Sequence, residues 1–221
     1  GPRAVHLSSC RLNQCFSPSI SNQEAPVSIR SAGLNLTIAV NISAKDLIDH
    51  DLPKKIFELL NEYKLSSESI SLEITESSIM DDPSRAEATL NSLAEMGIKI
   101  AIDDFGTGYS SLSKIKSMPV SVLKIDQSFV RDISDESSDY EIARAIIMMA
   151  KSLGLSVVAE GVESQIQEET LLRLGCDWLQ GYFYGNPLSG AEFLEKYQGG
   201  TPNRKVLKEI FEKFKLCKDN Q

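Results

Sequence analysis

Two hydrophobic periods alternate along this chain, and from residue 34 onward the switch between them recurs regularly. Short apolar or alternating runs at 36–40, 69–72, 98–102, 120–125, 155–159 and 176–179 have the length and period of strands. Between them lie stretches with helical spacing, at 52–63 (Ile56, Leu59 and Leu60), 83–96, 112–118, 139–153 and 164–174. The punctuation agrees. Ser43 or Asp46 can cap a helix beginning near Lys45, Pro83 opens the next, and Pro119 stops the one before it. Gly97 closes the helix that Pro83 opens, and Gly154 and Gly175 close two others. Residues 191–197 add a helical turn or two. Thr201-Pro202 then opens a final helix with Val206, Leu207, Ile210, Phe211 and Phe214 on one stripe. Residues 1–33 carry little periodicity and read as irregular, with at most a short helix closed by 11–15. The reading divides the chain into an irregular segment (1–33), a globular domain (34–198) and a C-terminal amphipathic helix (199–221).

At least six alternations of strand and helix predict an α/β fold with a parallel sheet, doubly wound or closed into a barrel. Nearly every predicted strand ends in a polar residue: Asn41, Glu73, Asp103, Lys124, Glu160 and Gln180. A doubly wound sheet uses only the ends beside its switch point, whereas a barrel brings all of them to one rim. The barrel fits better. One detail resists this scheme. Asp103 and Asp104 follow Ile98-Lys99-Ile100-Ala101-Ile102 directly, and neighbours on a regular strand point to opposite faces. Either one carboxylate enters a site while the other caps the Gly106-Thr107-Gly108 turn, or the strand breaks between them.

The net charge of −8 on 221 residues argues against a DNA- or RNA-binding surface. It leaves room for a small phosphate ligand, because a local cation reverses the field at one site. No apolar run approaches the ~20 residues that a membrane span needs, and no signal-peptide pattern opens the sequence. Cys10, Cys15, Cys176 and Cys217 match no paired metal spacing, so a reduced, cytoplasmic compartment is expected. His6 and His50 both lie away from the strand ends, and a zinc site is not expected.

Converging carboxylates, an amide oxygen and a lysine suit a hard divalent metal. Asn41, Glu73, Asp103, Asp104 and Glu160 offer more anionic oxygen than one magnesium requires. Two metals about 4 Å apart would use it fully and clamp the attacking and leaving oxygens of a phosphoryl displacement. Lys124 then orients a nucleophilic water or balances the charge. Plainer readings stand beside these. Asn41 and Asp126 are also placed to cap, Glu76 to brace a loop, and Glu163 to serve as a first-turn helix acid.

The pieces Val40-Asn41-Ile42-Ser43, Glu73-Ile74-Thr75-Glu76, Leu123-Lys124-Ile125-Asp126 and Ala159-Glu160-Gly161-Val162-Glu163 follow one another in order. With the run from Asp103 to Leu112 (DDFGTGYSSL) and Gln180-Gly181-Tyr182 with Pro187, they resemble the EAL-domain family of cyclic di-GMP phosphodiesterases. The resemblance implies a modified (β/α)8 barrel, TIM-like but with one antiparallel strand. It also implies hydrolysis of cyclic di-GMP to linear pGpG with Mg2+ or Mn2+ in a two-metal site. By motif, Asn41, Glu73, Asp103, Asp104 and Glu160 resemble the metal ligands. Lys124 resembles the residue holding the attacking water, and Glu160 shares a general-base role. Glu76 resembles the acid that anchors the loop after Asp104, a loop shared by the site and a homodimer interface. Asp126, Glu163 and Gln180 are similar to substrate-binding residues. A sensory or regulatory domain is a further expected partner, within a larger and even membrane-bound protein.

One departure stands out. The Glu-Ala-Leu strand that names the family lies farther upstream than the forty residues preceding Asn41 allow, and none of those residues reads Glu-Ala-Leu. Glu24-Ala25-Pro26 comes nearest but reads as a loop. Either the barrel is incomplete at its N-terminal strands or the motif lies outside the given sequence. The expectation is a phosphodiesterase of impaired turnover, the alternative a catalytically inactive cyclic di-GMP receptor or protein-interaction module.

Overall fold

The computed structural model describes residues 37–62, 65–107, 112–135 and 137–186. The expected irregular N-terminal segment, the turns at 191–197, the final amphipathic helix and Pro187 lie outside the described residues.

Six strands form one sheet: β1 (Ile38–Ile42), β2 (Ile70–Thr75), β3 (Lys99–Phe105), β4 (Val122–Ile125), β5 (Ser156–Ala159) and β6 (Trp178–Leu179). Each pairs in parallel with its predecessor in sequence, so the spatial order is simply β1 to β6. A doubly wound sheet must reverse its strand order at a switch point, and this one never does. Successive right-handed crossovers in one direction put every helix on the same side and curl the sheet toward closure. The fold is a TIM-like α/β barrel, of which six strands lie among the described residues.

The crossovers carry α1 (Ala44–Leu47), α2 (Leu52–Glu62), α3 (Glu76–Asp81), α4 (Pro83–Glu95), α5 (Leu112–Ser117), α6 (Ser138–Ser152) and α7 (Gln165–Leu174). Ser43 caps α1 in a reciprocal box with Asp46, so both expected caps act on one helix end. Gly175 ends α7 at φ +94°. Helix α3 differs from expectation, since Glu73-Ile74-Thr75-Glu76 reads as the end of a strand. The Thr75 hydroxyl accepts from the Ser78 N–H and turns the chain into a helix at Glu76.

Strand periodicity sorts the sheet into two chemical faces. Val40, Ile42, Leu72, Ile74, Ile100, Ile102, Leu123, Ile125, Val157 and Ala159 pack into one apolar cluster with Ile56, Leu90, Leu93, Ala143, Ile147 and Leu171 of the helices. The opposite positions carry Ser71, Ala101, Val122 and Ser156 along the strands and the chemistry at the strand ends. Burial of the aliphatic layer fixes the register, and the register delivers the polar ends to one rim.

Cys176 sits in the apolar layer, its thiol 3.1 Å from the Trp178 carbonyl and 3.4 Å from that of Val157. Burial pushes its pKa up to about 12. A raised thiol pKa stabilises the fold fully below the ordinary thiol range, and that contribution is lost as pH climbs toward the folded value. The thiolate being the nucleophile, Cys176 in the native protein at pH 9 should react with iodoacetamide at least ~100-fold more slowly than in denaturant. Peptide mapping by mass spectrometry checks this, and rapid native labelling of Cys176 would contradict it.

Candidate functional site

The site is built from strand ends, one or two residues at a time. Asn41 near the end of β1 lies in register with Glu73 of β2. Glu73 in turn pairs with Ala101, so the next inward position on β3, Asp103, stands one step nearer the rim.

Between β3 and β4 the ladder is irregular. Ile102 pairs with Leu123 and Phe105 with Ile125, which leaves Asp103 and Asp104 together opposite Lys124. Two residues facing one is a β-bulge. Asp104 has φ +53°, a left-handed conformation that no other non-glycine residue adopts among the described residues. Its N–H donates to Asp103 Oδ1 at 3.1 Å. The parity conflict of Asp103 and Asp104 is thereby resolved: the strand bulges, and both carboxylates reach the same rim. Such a conformation costs on the order of 1 kcal/mol and is held only where the surroundings over-determine it.

Lys124 is the electrostatic centre. Its Nζ lies 2.9 Å from Glu73 Oε2, 2.9 Å from Asp103 Oδ1 and 2.8 Å from Glu160 Oε1, with the residue only 4% exposed. Burial opposes its charge, but Glu160, Glu73 and Asp103 together outweigh that and raise its pKa above that of a free lysine. The carboxylates respond the other way. Burial, followed by the repulsion of Asp103, raises Glu73 and Glu160 despite the ammonium beside them. Asp104 is raised by burial, then by Asp103 and by Asp126, with which it shares a hydrogen bond.

When ionised, Glu73, Asp103, Asp104 and Glu160 exceed the single ammonium by three charges. One ligand oxygen from each of Asp103, Asp104 and Glu160 falls within 4.8 Å of the others. An all-oxygen, strongly anionic donor set of this kind fits a hard divalent cation.

The remaining candidates lie on the segments that follow these strands. Glu76 is buried at the start of α3 and accepts from the Gly106 N–H at 3.2 Å, tying the turn after Asp104 to β2. Asp126 follows β4, faces Asp104 and also caps the 3-10 turn Gln127–Phe129 through the Ser128 N–H. Glu160 follows β5, its N–H donating to the Ile125 carbonyl at 3.2 Å. Gln180 follows β6 and is held by its backbone, donating to Ala159 O and accepting from Val162 N–H. Glu163 keeps an exposed side chain at the end of the loop after β5, apart from the ionic cluster. Close backbone approach explains the glycine beside Gln180: a Cβ on Gly181 would stand 2.1 Å from the Val162 carbonyl oxygen. Sequence reasoning passed over Gln167, a 7% exposed side chain behind this loop, although Ser164-x-x-Gln167 is a capping-box signature.

No helix among the described residues is long and apolar enough to cross a membrane. The profile of the EAL domain family matches residues 6–187. The bifunctional diguanylate cyclase/cyclic di-GMP phosphodiesterase MucR of Pseudomonas aeruginosa is 42% identical over 157 residues, covering 71% of this chain and 23% of MucR. The chain spans only 20% to 26% of the length of the first curated relatives it matches. Among solved structures, the EAL domain of Mycobacterium smegmatis DcpA superposes with a TM-score of 0.73 at 39% identity, over 80% of both chains. A manganese and cyclic di-GMP complex of Klebsiella pneumoniae BlrP1 gives 0.67 at 29% identity, over 73% of this chain and 42% of that one. The motifs, the barrel and the acidic rim thus meet in one conclusion: the chain belongs to the EAL domain family and is homologous to cyclic di-GMP phosphodiesterases.

Proposed function

We propose that this chain hydrolyses one phosphodiester of cyclic di-GMP to linear pGpG, using Mg2+ or Mn2+. The observation that carries the reading is the convergence of Glu73, Asp103, Asp104 and Glu160 on one rim around Lys124. Asp103, Asp104, Glu160, Glu73 and Asn41 would hold the metal, which when bound polarises the phosphoryl oxygens and acidifies water. The chain's own groups do the rest. Lys124, fixed by three carboxylates, orients the attacking water and keeps its ammonium throughout the neutral range. The Glu160 carboxylate takes the proton of that water. Asp126, Glu163 and Gln180 line the approach to the rim and contact the nucleotide. Glu76 steadies the turn after Asp104, and the same loop supports a homodimer, with the cytoplasm as the expected compartment.

Turnover of cyclic di-GMP by the purified chain, with magnesium and separately with manganese, tests the reading. Formation of pGpG is expected, at a rate lowered by roughly 10²-fold relative to a domain carrying the Glu-Ala-Leu ligand. Saturable binding without product would instead make the chain a receptor. Neither turnover nor binding would refute both.

A further inference from the structure

The loop after β5 carries Glu160 and Glu163, and the segment after β4 carries Asp126. One buried side chain joins the two. Gln167 occupies the third position of α7, where its Oε1 accepts from the Ser164 N–H at 2.9 Å while the Ser164 hydroxyl accepts from the Gln167 N–H. That much is an ordinary capping box, which glutamate performs as well as glutamine. Two further contacts exceed it. The same Oε1 accepts a second bond from the Glu163 N–H at 2.7 Å, and Nε2 donates to the Arg131 carbonyl at 2.8 Å, across 36 residues of sequence. Arg131 N–H donates to the Gln127 carbonyl, so the bridge ends on the turn that Asp126 caps.

We infer that Gln167 is a positioning residue for substrate: its carboxamide sets Glu163 at a fixed place relative to Asp126. This rests on the phosphodiesterase reading above. The chemistry selects an amide. A carboxylate would keep both backbone N–H bonds but could not donate to Arg131 O, and an apolar side chain would leave three part-buried backbone groups without this partner. Glu160 does not depend on this bridge, because its own N–H is bonded to β4 at Ile125. The effect of losing Gln167 therefore falls on Glu163 and on substrate binding, and spares the acidic cluster.

The same closeness of the two loops explains the glycine at position 161, whose φ is +73°. A Cβ there would stand 2.6 Å from the Gln127 Cβ, so the two loops are drawn close enough to exclude one. Van der Waals contact and the Gln167 bridge act on the same pair of segments.

The test uses the full 221-residue chain with Gln167→Glu and Gln167→Ala. Amide hydrogen exchange at Arg131, Glu163 and Ser164, thermal midpoint, manganese affinity, and kcat and KM for cyclic di-GMP are measured on each. Gln167→Glu is expected to raise KM about tenfold with kcat and manganese affinity within twofold of wild type, and to leave the Glu163 and Ser164 amides protected. Gln167→Ala is expected to raise KM at least as much and to expose those amides as well. Unchanged KM in Gln167→Glu would overturn the inference. So would equal losses in kcat and manganese affinity, which a general loosening of the barrel produces. If the wild-type chain neither turns over nor binds cyclic di-GMP, the phosphodiesterase reading fails by itself. Exchange then decides for Gln167: faster opening of the 126–131 turn in Gln167→Glu supports the bridge, and no change refutes it.

Discussion

Asparagine at position 103 is expected to lower pGpG formation at least ~10³-fold, equivalent to about 4 kcal/mol of barrier. Asp103 is where three functions coincide. One of its oxygens faces Lys124 at 2.9 Å and accepts from the Asp104 N–H, and its carboxylate belongs to the cluster suited to a divalent cation. The amide keeps the shape and one acceptor oxygen but loses the charge that makes the rim attractive to a metal. Folding should survive, since the substitution removes one of four mutually repelling carboxylates. Chromatographic assay of pGpG alongside a thermal melt checks both halves. Activity within tenfold of wild type in a folded Asp103→Asn chain would mean that the acidic rim is not the reaction centre.

Methionine at position 124 should produce the largest loss of stability of any single change in the site. Lys124 is 4% exposed and its ammonium is bonded to Glu73, Asp103 and Glu160, none of which has another cationic partner among the described residues. Its removal leaves buried carboxylates uncompensated, which typically costs about 3–5 kcal/mol, a large share of a domain's net stability. A raised lysine pKa means the ammonium's contribution is complete below the ordinary lysine range and fades only as pH rises through the still higher folded value. The loss in Lys124→Met should therefore appear undiminished at pH 7. Manganese gives the discriminating readout. Added metal should raise the melting temperature of Lys124→Met more than that of wild type, because it binds the native cluster and replaces the missing positive charge. An unaltered melt in the absence of metal would show that solvent, not Lys124, neutralises the rim.

The elements most legible in the sequence were those whose physics is local. Six apolar runs became six strands because burial of their aliphatic positions against the helices demands that register, and the polar residue ending each run went to the rim. Helix α3 was less legible. Six residues from Glu76 to Asp81 make too few turns to show an amphipathic repeat, and the Thr75 cap that starts them looks like one more strand residue. The meeting of Asp103 with Asp104 lay beyond a parity rule, because it depends on a non-glycine residue holding φ +53° opposite Lys124. Gln167 shows the same limit from another side. Its capping box is written within four residues, whereas its bond to Arg131 spans the whole of α6.

The uninterrupted strand order bears on how the domain is made. Paired residues lie from 20 positions apart (Val158 with Trp178) to 34 apart (Leu123 with Val157), and no strand among the described residues waits for a partner from the distant end of the chain. A nascent chain leaving the ribosome can thus lay each strand against the one just completed. Loop-closure entropy is then met in small, similar steps, which moderates the slowness expected of parallel sheets. The rim acquires its carboxylates in the same sequence, Glu73 before Asp103 and Asp104, with Lys124 arriving before Glu160. Synthesis therefore delivers the neutralising ammonium before the last acid that needs it.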